Sequence, residues 1–217
     1  IVPQAQRMER VSFSEASEMA AFGAKVLHPA TMLPAMRKDI PVFVCSRKQP
    51  SVGGTLVCRH AENPPRYRAL ATRRKQTLLK LHSLHTQPAC SFLAETFAVL
   101  SRHNTAIDLV TTSENSIALI LNSSCATSGE ADSLTTSLLT ELSSRCRVEL
   151  ETGLDLVTLI GNELTQASGV CKDVFAELEK HHVRMICHGA SEHTLCFLLP
   201  AETSDSAVKA LHRSLFE

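Results

Sequence analysis

The feature that most constrains the fold of this chain is an internal repeat with a spacing of 78 residues. Three gap-free segments carry it: LLKLHS lies over LVTLIG, FAVLSRH over FAELEKH, and SENSIALIL over SEHTLCFLL. Self-similarity at a fixed period indicates duplicated structural units. The sequence therefore predicts two similar modules in succession after about residue 65.

Hydrophobic periodicity gives each copy the order strand, helix, strand, strand, helix. A further strand, CRVEL, closes the first copy, and RYRALATRRKQ before the repeat supplies one more candidate strand for whichever copy lacks one. This βαββαβ order is typical of a ferredoxin-like fold, an antiparallel sheet with helices on one face. The predicted class is therefore α+β.

The first 65 residues differ in composition, since they hold seven of the nine prolines. A helix capped by Ser12 or Ser14 and ending at Gly23 precedes a second helix that opens on Pro29. The strand IPVFVCS and the glycine pair of SVGGTLV follow. We interpret this region as the tail of an α/β domain, bounded by ENPP at 62–65.

Residues 91–121 of the first copy hold the candidate binding site. Asp108 lies on a predicted strand, and Ser113 and Glu114 lie at the turn after it. Carboxylates can hold ammonium groups, while the N-terminus of the preceding helix offers N–H groups to an anion. The arrangement suits an amino acid. In the second copy Ser191 and Glu192 repeat the turn, but Ile186 replaces the strand acid, so the first copy is predicted to hold a cationic ligand.

Composition excludes several classes. The 22 basic and 22 acidic residues balance, which gives no electrostatic reason to expect nucleic acid or an anionic membrane as partner. Apolar runs are shorter than the ~20 residues of a membrane helix. The eight cysteines contain no CxxC pair, which favours free thiols in a reducing cytosol.

Metal binding and cysteine catalysis are not predicted. The histidines and cysteines near the C-terminus match no usual ligand spacing, and neighbours on a strand point to opposite faces; these residues are His181, His182, Cys187, His188, His193 and Cys196. No local signature of a nucleophile surrounds any cysteine.

Several segments together resemble the C-terminal part of the lysine-sensitive aspartate kinases of bacteria. They are FGAKVLHPATMLPAMRKDIPVFV, GGTLV, ENPP, and FLAETF followed by IDLVTTSE. The resemblance implies the end of an amino-acid kinase domain at 1–64, a first ACT domain at 76–152, and a second ACT domain formed by 65–75 with 153–217. ACT domains are small βαββαβ units that bind amino acids.

The same resemblance implies a function. The parent enzyme would be cytoplasmic and transfer the γ-phosphoryl group of ATP, with Mg, to L-aspartate, under feedback inhibition by L-lysine bound between ACT domains of a homodimer. Lys25 and Val26 correspond to nucleotide contacts. We expect this piece of a longer protein to contain no catalytic residues, and its ACT region to bind no cofactor.

The lysine-binding positions that the resemblance implies lie on the first helix, the strand and the turn of the first copy: Phe92, Leu93, Ala106, Ile107, Asp108, Ser113 and Glu114. The loop before the helix departs from the family pattern at Thr86, Ala89 and Ser91, which predicts a changed affinity or selectivity. An alternative is an ACT pair that only dimerises and senses no effector.

Overall fold

A computed structural model describes residues 1–24, 29–61, 63–84, 88–121 and 131–217. The chain forms two compact units. The larger unit consists of residues 1–73 and 156–217, and the smaller unit of residues 74–155. The predicted kinase remnant and most of the predicted second ACT domain thus belong to one unit. No helix within the described ranges is long and apolar enough to cross a membrane.

The larger unit begins with a small three-stranded sheet. Its elements are β1 (Arg10–Ser12), α1 (Phe13–Ala21), α2 (Pro29–Lys38), β2 (Val42–Cys45) and β3 (Gly54–Cys58), with a 3-10 turn at Pro50–Val52. The strand order is β1-β3-β2, with β1 parallel and β2 antiparallel to β3. Ser12, one of the two predicted caps, starts α1 in a capping box with Glu15, which satisfies two N–H groups at the helix start.

The smaller unit is built from the first copy of the repeat. Its elements are the end of β4 (Tyr67–Ser83), α3 (Ala89–Arg102), β5 (Ile107–Thr112), β6 (Ser116–Leu121), α4 (Ala131–Ser143) and the start of β7 (Cys146–Gly161). The strand order is β5-β6-β4-β7. The core lies between this sheet and the two helices, where Leu79, Leu81, Val99, Leu119 and Leu142 are buried.

The second copy completes the larger unit. It comprises the end of β7, α5 (Val170–Glu177), β8 (Met185–His188), β9 (Thr194–Pro200) and α6 (Ala201–Phe216). The beginning of β4 joins this sheet, whose order is β4-β7-β9-β8. β8 and β9 begin 78 residues after β5 and β6, so the repeat is a repeat of structure. The predicted α+β class with two ferredoxin-like modules is confirmed.

One expectation about the strands was wrong. The segments RYRALATRRKQ and LLKLHS form one strand, β4, and CRVEL and LVTLIG form one strand, β7. Each strand passes an irregular residue in the left-handed region, Lys75 with φ 57° and Gly153 with φ 73°. A single residue in this region interrupts the regular strand geometry without ending the strand.

Candidate functional site

Asp108 occupies a β-bulge. Ile107 lies opposite Leu121 and Leu109 lies opposite Ile120 on β6, so Asp108 is the extra residue between two regular pairs. Its Oδ2 atom is shielded from solvent. Bulges re-aim a side chain and are enriched next to functional sites. The predicted strand acid therefore sits where the ladder is locally interrupted.

The start of α3 differs from the prediction. The helix begins at Ala89, before Phe92, and its N-cap Pro88 makes no side-chain capping bond. The N–H groups of Ser91 and Phe92 donate to the carbonyl of Pro88 at 2.9 and 3.3 Å. Helix geometry thus leaves the N–H groups of Ala89 and Cys90 without an intrahelical acceptor. The open donors therefore lie among the residues that depart from the family pattern.

The two predicted residues on α3 serve the core. Phe92 is 5% exposed and belongs to the buried cluster of the smaller unit. Leu93 and Ile107 are half-buried and pack against the same cluster. Their side chains therefore help to form the core between α3 and the sheet that contains β5.

Ser113 and Glu114 are exposed at the hairpin turn between β5 and β6. The turn is closed by the Ser113 N–H, which donates to the carbonyl of Ser116 at 2.9 Å. The N–H of Ser83, at the end of β4, donates to the carbonyl of Asn115 at 2.9 Å. The chain therefore leaves β4 beside this turn shortly before it enters α3.

The predicted binding residues form two groups at opposite ends of the module. The turn end consists of Phe92, Leu93, Ser113 and Glu114, and the bulge end of Ala106, Ile107 and Asp108. Asp108 precedes Ser113 by five residues, or roughly 16 Å along an extended strand. The two groups are therefore separated by about the length of β5.

The second copy uses the same positions differently. Ile186, the counterpart of Asp108, is 44% exposed. Ser191, the counterpart of Ser113, donates from its hydroxyl to Glu18 Oε1 on α1 at 2.8 Å. The sequence showed that Ser191 repeats Ser113, but it gave no signal of this partner.

A second polar cluster on α1 was also missed. The buried Glu15 carboxylate accepts from Arg68 Nε at 2.7 Å, from Asn162 Nδ2 at 2.8 Å and from the Ser12 N–H at 2.7 Å. The sequence predicted only that a helix starts here, with Ser12 or Ser14 as its cap. The partners of Glu15 on β4 and after β7 leave no local trace in the sequence.

The cysteines of the second copy include a cross-strand pair, Cys187 on β8 opposite Cys196 on β9. Burial raises the pKa of the Cys196 thiol to about 12 and also raises the pKa of Cys187. Both thiols therefore stay protonated at neutral pH and are poor nucleophiles. Among the described residues no cluster of three potential metal ligands occurs.

Three predicted positions lie outside the described residues. Lys25 and Val26, the expected nucleotide contacts, fall in 25–28, and Thr86 of the altered loop falls in 85–87. The other two positions of the predicted loop, Ala89 and Ser91, lie instead in the first turn of α3, where Ala89 is half-buried and Ser91 is exposed.

Comparison with known proteins gives a consistent result. Residues 157–215 match the ACT domain family model and residues 1–46 match the amino acid kinase family model. The chain is 58% identical over its full length to the lysine-sensitive aspartokinase 3 of Escherichia coli and 32% identical to the chloroplastic aspartokinase 2 of Arabidopsis thaliana. It covers 48% and 41% of those proteins, so it spans less than half of their length.

Solved structures show the same relationship. The chain superposes with a TM-score of 0.92 on E. coli aspartokinase III in complex with aspartate and ADP, described as the R-state, at 58% identity. The T-state complex of that enzyme with lysine and aspartate gives a TM-score of 0.86 at 59% identity. Each match covers the whole of this chain and 48% of the solved chain.

Proposed function

Since the chain belongs over its whole length to the aspartokinase family, we propose that it is the regulatory, amino-acid-sensing region of an aspartate kinase. The whole enzyme would transfer the γ-phosphoryl group of ATP, as its Mg complex, to the β-carboxylate of L-aspartate. L-Lysine would be its feedback inhibitor. Two comparisons support this proposal. The chain is similar to the lysine-sensitive aspartokinase 3 of E. coli, and it superposes on the solved complex of E. coli aspartokinase III with lysine and aspartate.

The first copy of the repeat is the proposed lysine sensor. The open N–H groups at the start of α3 would take the α-carboxylate, with Phe92 and Leu93 behind them. Asp108 and Glu114 would each hold an ammonium group. Hydrogen bonds to charged groups contribute roughly 1.5–3 kcal/mol each. The observation that carries the proposal is the strand acid set on a bulge in the first copy, where the second copy has Ile186.

We propose that the lysine site lies between the first ACT domains of a homodimer. Each site would combine the bulge end of one subunit with the turn end of its partner. A two-fold interface repeats every contact, so the dimer would hold two equivalent sites. Lysine binding would then stabilise the dimer by mass action.

The remaining assignments concern the kinase part. Lys25 and Val26 would contact the nucleotide, and the catalytic groups would lie in the part of the enzyme that precedes this chain. The regulatory region itself would bind lysine alone, without a cofactor, a nucleic acid or a membrane. A cytoplasmic location fits the scattered cysteines, which lack the close pairs of a disulfide framework. Ala89 and Ser91 would shift the affinity or selectivity for lysine, because Ala89 carries one of the carboxylate donors and Ser91 follows the other.

Subunit mixing tests the proposed site in the full-length enzyme. Asp108→Asn removes the charge of the carboxylate at the bulge end, and Glu114→Gln removes the charge of the carboxylate at the turn end. Neither variant alone should therefore bind lysine tightly. A heterodimer of the two contains one intact site and one doubly altered site. Calorimetric titration should therefore recover one tight site per heterodimer.

Two results would contradict the proposal, and each has a different meaning. No recovery in the mixed dimer would place all ligand groups within one subunit. No heat of lysine binding to the wild-type enzyme, with threonine and methionine as comparison ligands, would instead favour the alternative of an ACT pair that serves only for dimerisation.

A further inference from the structure

The turn serine of the second copy has a different partner from its counterpart in the first copy. Ser113 lies beside Ser116 on an exposed turn. Ser191 instead reaches α1, which belongs to the region that matches the amino acid kinase family. Duplication therefore produced two serines at the same structural position, one facing solvent and the other facing the kinase part of the chain.

The turn that carries Ser191 is fixed to the end of β7. The N–H of Gly161 donates to the carbonyl of His193 at 2.9 Å, and the N–H of Leu164 donates to the carbonyl of Glu192 at 2.8 Å. The Ser191 hydroxyl oxygen also accepts from the His193 N–H at 3.2 Å. Its single proton is then directed to Glu18, so the contact has a defined donor and acceptor.

The other end of the contact lies in the last turn of α1. The Glu18 carbonyl accepts from the Phe22 N–H at 3.0 Å, where the helix ends. Gly23 follows with φ +114°, and a Cβ at this position would lie 3.2 Å from the Thr72 carbonyl oxygen and 2.9 Å from Arg73 Cγ. The end of α1 is therefore held both by the β8–β9 turn and by close packing against β4.

This arrangement lies directly before the predicted nucleotide contacts. Ala21 is the last residue of α1, and Lys25 follows four residues later. We infer that Ser191 is a positioning residue: its hydrogen bond to Glu18 lets the second ACT module set the position of the end of α1, and through it the nucleotide-binding segment. The inference rests on the proposed function, because it assigns Lys25 and Val26 to the nucleotide.

Ser191→Ala in the full-length enzyme tests this directly. The contact is half-buried, so its loss should leave the fold intact while the affinity for ADP, measured by calorimetry without lysine, falls roughly threefold to tenfold. Ser191→Thr keeps a hydroxyl and should restore the affinity. Ser206→Ala is the matched control, because Ser206 is exposed and its hydroxyl donates to the Thr203 carbonyl within α6.

A double-mutant cycle separates positioning from general destabilisation. Glu18→Ala should weaken ADP binding as much as Ser191→Ala does, and the double variant should be no weaker than either single variant, since both remove the same contact. Lysine should bind Ser191→Ala as it binds the wild type, because its proposed site lies in the first copy.

The outcomes distinguish this inference from the proposed function. Unchanged ADP affinity in Ser191→Ala, or additive losses in the cycle, would overturn the role of Ser191 while lysine sensing could stand. A wild-type enzyme that binds ADP but not lysine would refute the sensing function and leave the ADP experiment as the test of Ser191. A wild-type enzyme that binds no ADP would refute both.

Discussion

Glu15 Oε1 and Arg68 Nε lie 2.7 Å apart, with the Glu15 side chain fully buried and that of Arg68 9% exposed. The pair links α1 to β4 inside the larger unit. Asn162 and the Ser12 N–H complete the hydrogen bonds of the carboxylate. Removing one partner of a buried ion pair leaves the other charge buried without a counter-charge, which strongly destabilises the folded state.

Glu15→Ala is therefore expected to destabilise the larger unit by about 3–5 kcal/mol. Urea unfolding followed by circular dichroism measures the change. Glu9→Ala is the control, since Glu9 is exposed and a surface substitution changes stability by about 0.5 kcal/mol or less. If Glu15→Ala lowers the free energy of unfolding no more than the control does, the buried cluster contributes little to stability.

The first copy has Asp108 where the second copy has Ile186, so substitutions at these two equivalent positions can be compared directly. Asp108→Asn should weaken lysine binding by roughly tenfold or more, because it removes a charge that pairs with an ammonium group. Ile186→Asn alters the equivalent strand position of the second copy and should leave lysine affinity unchanged. Calorimetric titration of both variants provides the measurement, and equal losses in the two would argue against a site confined to the first copy.

Acid should loosen the contact between α3 and α4. The Arg102 guanidinium, and then His103, hold the pKa of Glu141 below its usual value. A carboxylate with a lowered pKa in the folded state stabilises the protein above its unfolded pKa, and this contribution disappears as pH falls through the folded pKa. Thermal melting from about pH 6 to pH 3 should show a shallower pH dependence for Glu141→Gln.

The control for that experiment is Glu179→Gln, which alters an exposed carboxylate near the end of the second-copy helix. It should retain the wild-type pH profile. Parallel profiles for the wild type and Glu141→Gln would mean that this ion cluster does not contribute to acid sensitivity.

Thiol reactivity should separate six of the eight cysteines into two classes. Cys45, Cys90 and Cys171 are exposed and should react quickly with iodoacetamide at neutral pH. Cys146, Cys187 and Cys196 should react slowly, since burial raises the pKa of each and the thiolate is the reactive form. Peptide mass spectrometry after timed labelling gives the rates, and fast labelling of Cys196 in the folded protein would contradict the packing of β9.

Local patterns in the sequence were sufficient for most of the secondary structure. The 78-residue repeat located β8 and β9 from β5 and β6, and the start of α1 was predicted with Ser12 or Ser14 as cap, of which the structure selects Ser12. The start of α3 was predicted too late, because Pro88 serves as N-cap without a polar side chain, so the usual start signal is missing.

The sequence by itself determined the two ferredoxin-like modules and the acid that distinguishes the first from the second, because hydrophobic periodicity and an internal repeat can both be recognised from the order of the residues alone. Only the tertiary structure decided that Asp108 sits on a bulge, that β4 and β7 each run through both units, and that Glu15 meets partners 53 and 147 residues away. Such contacts depend on where distant segments meet after folding, and a polar residue carries the same local signal whether its partner is water or a side chain from another strand.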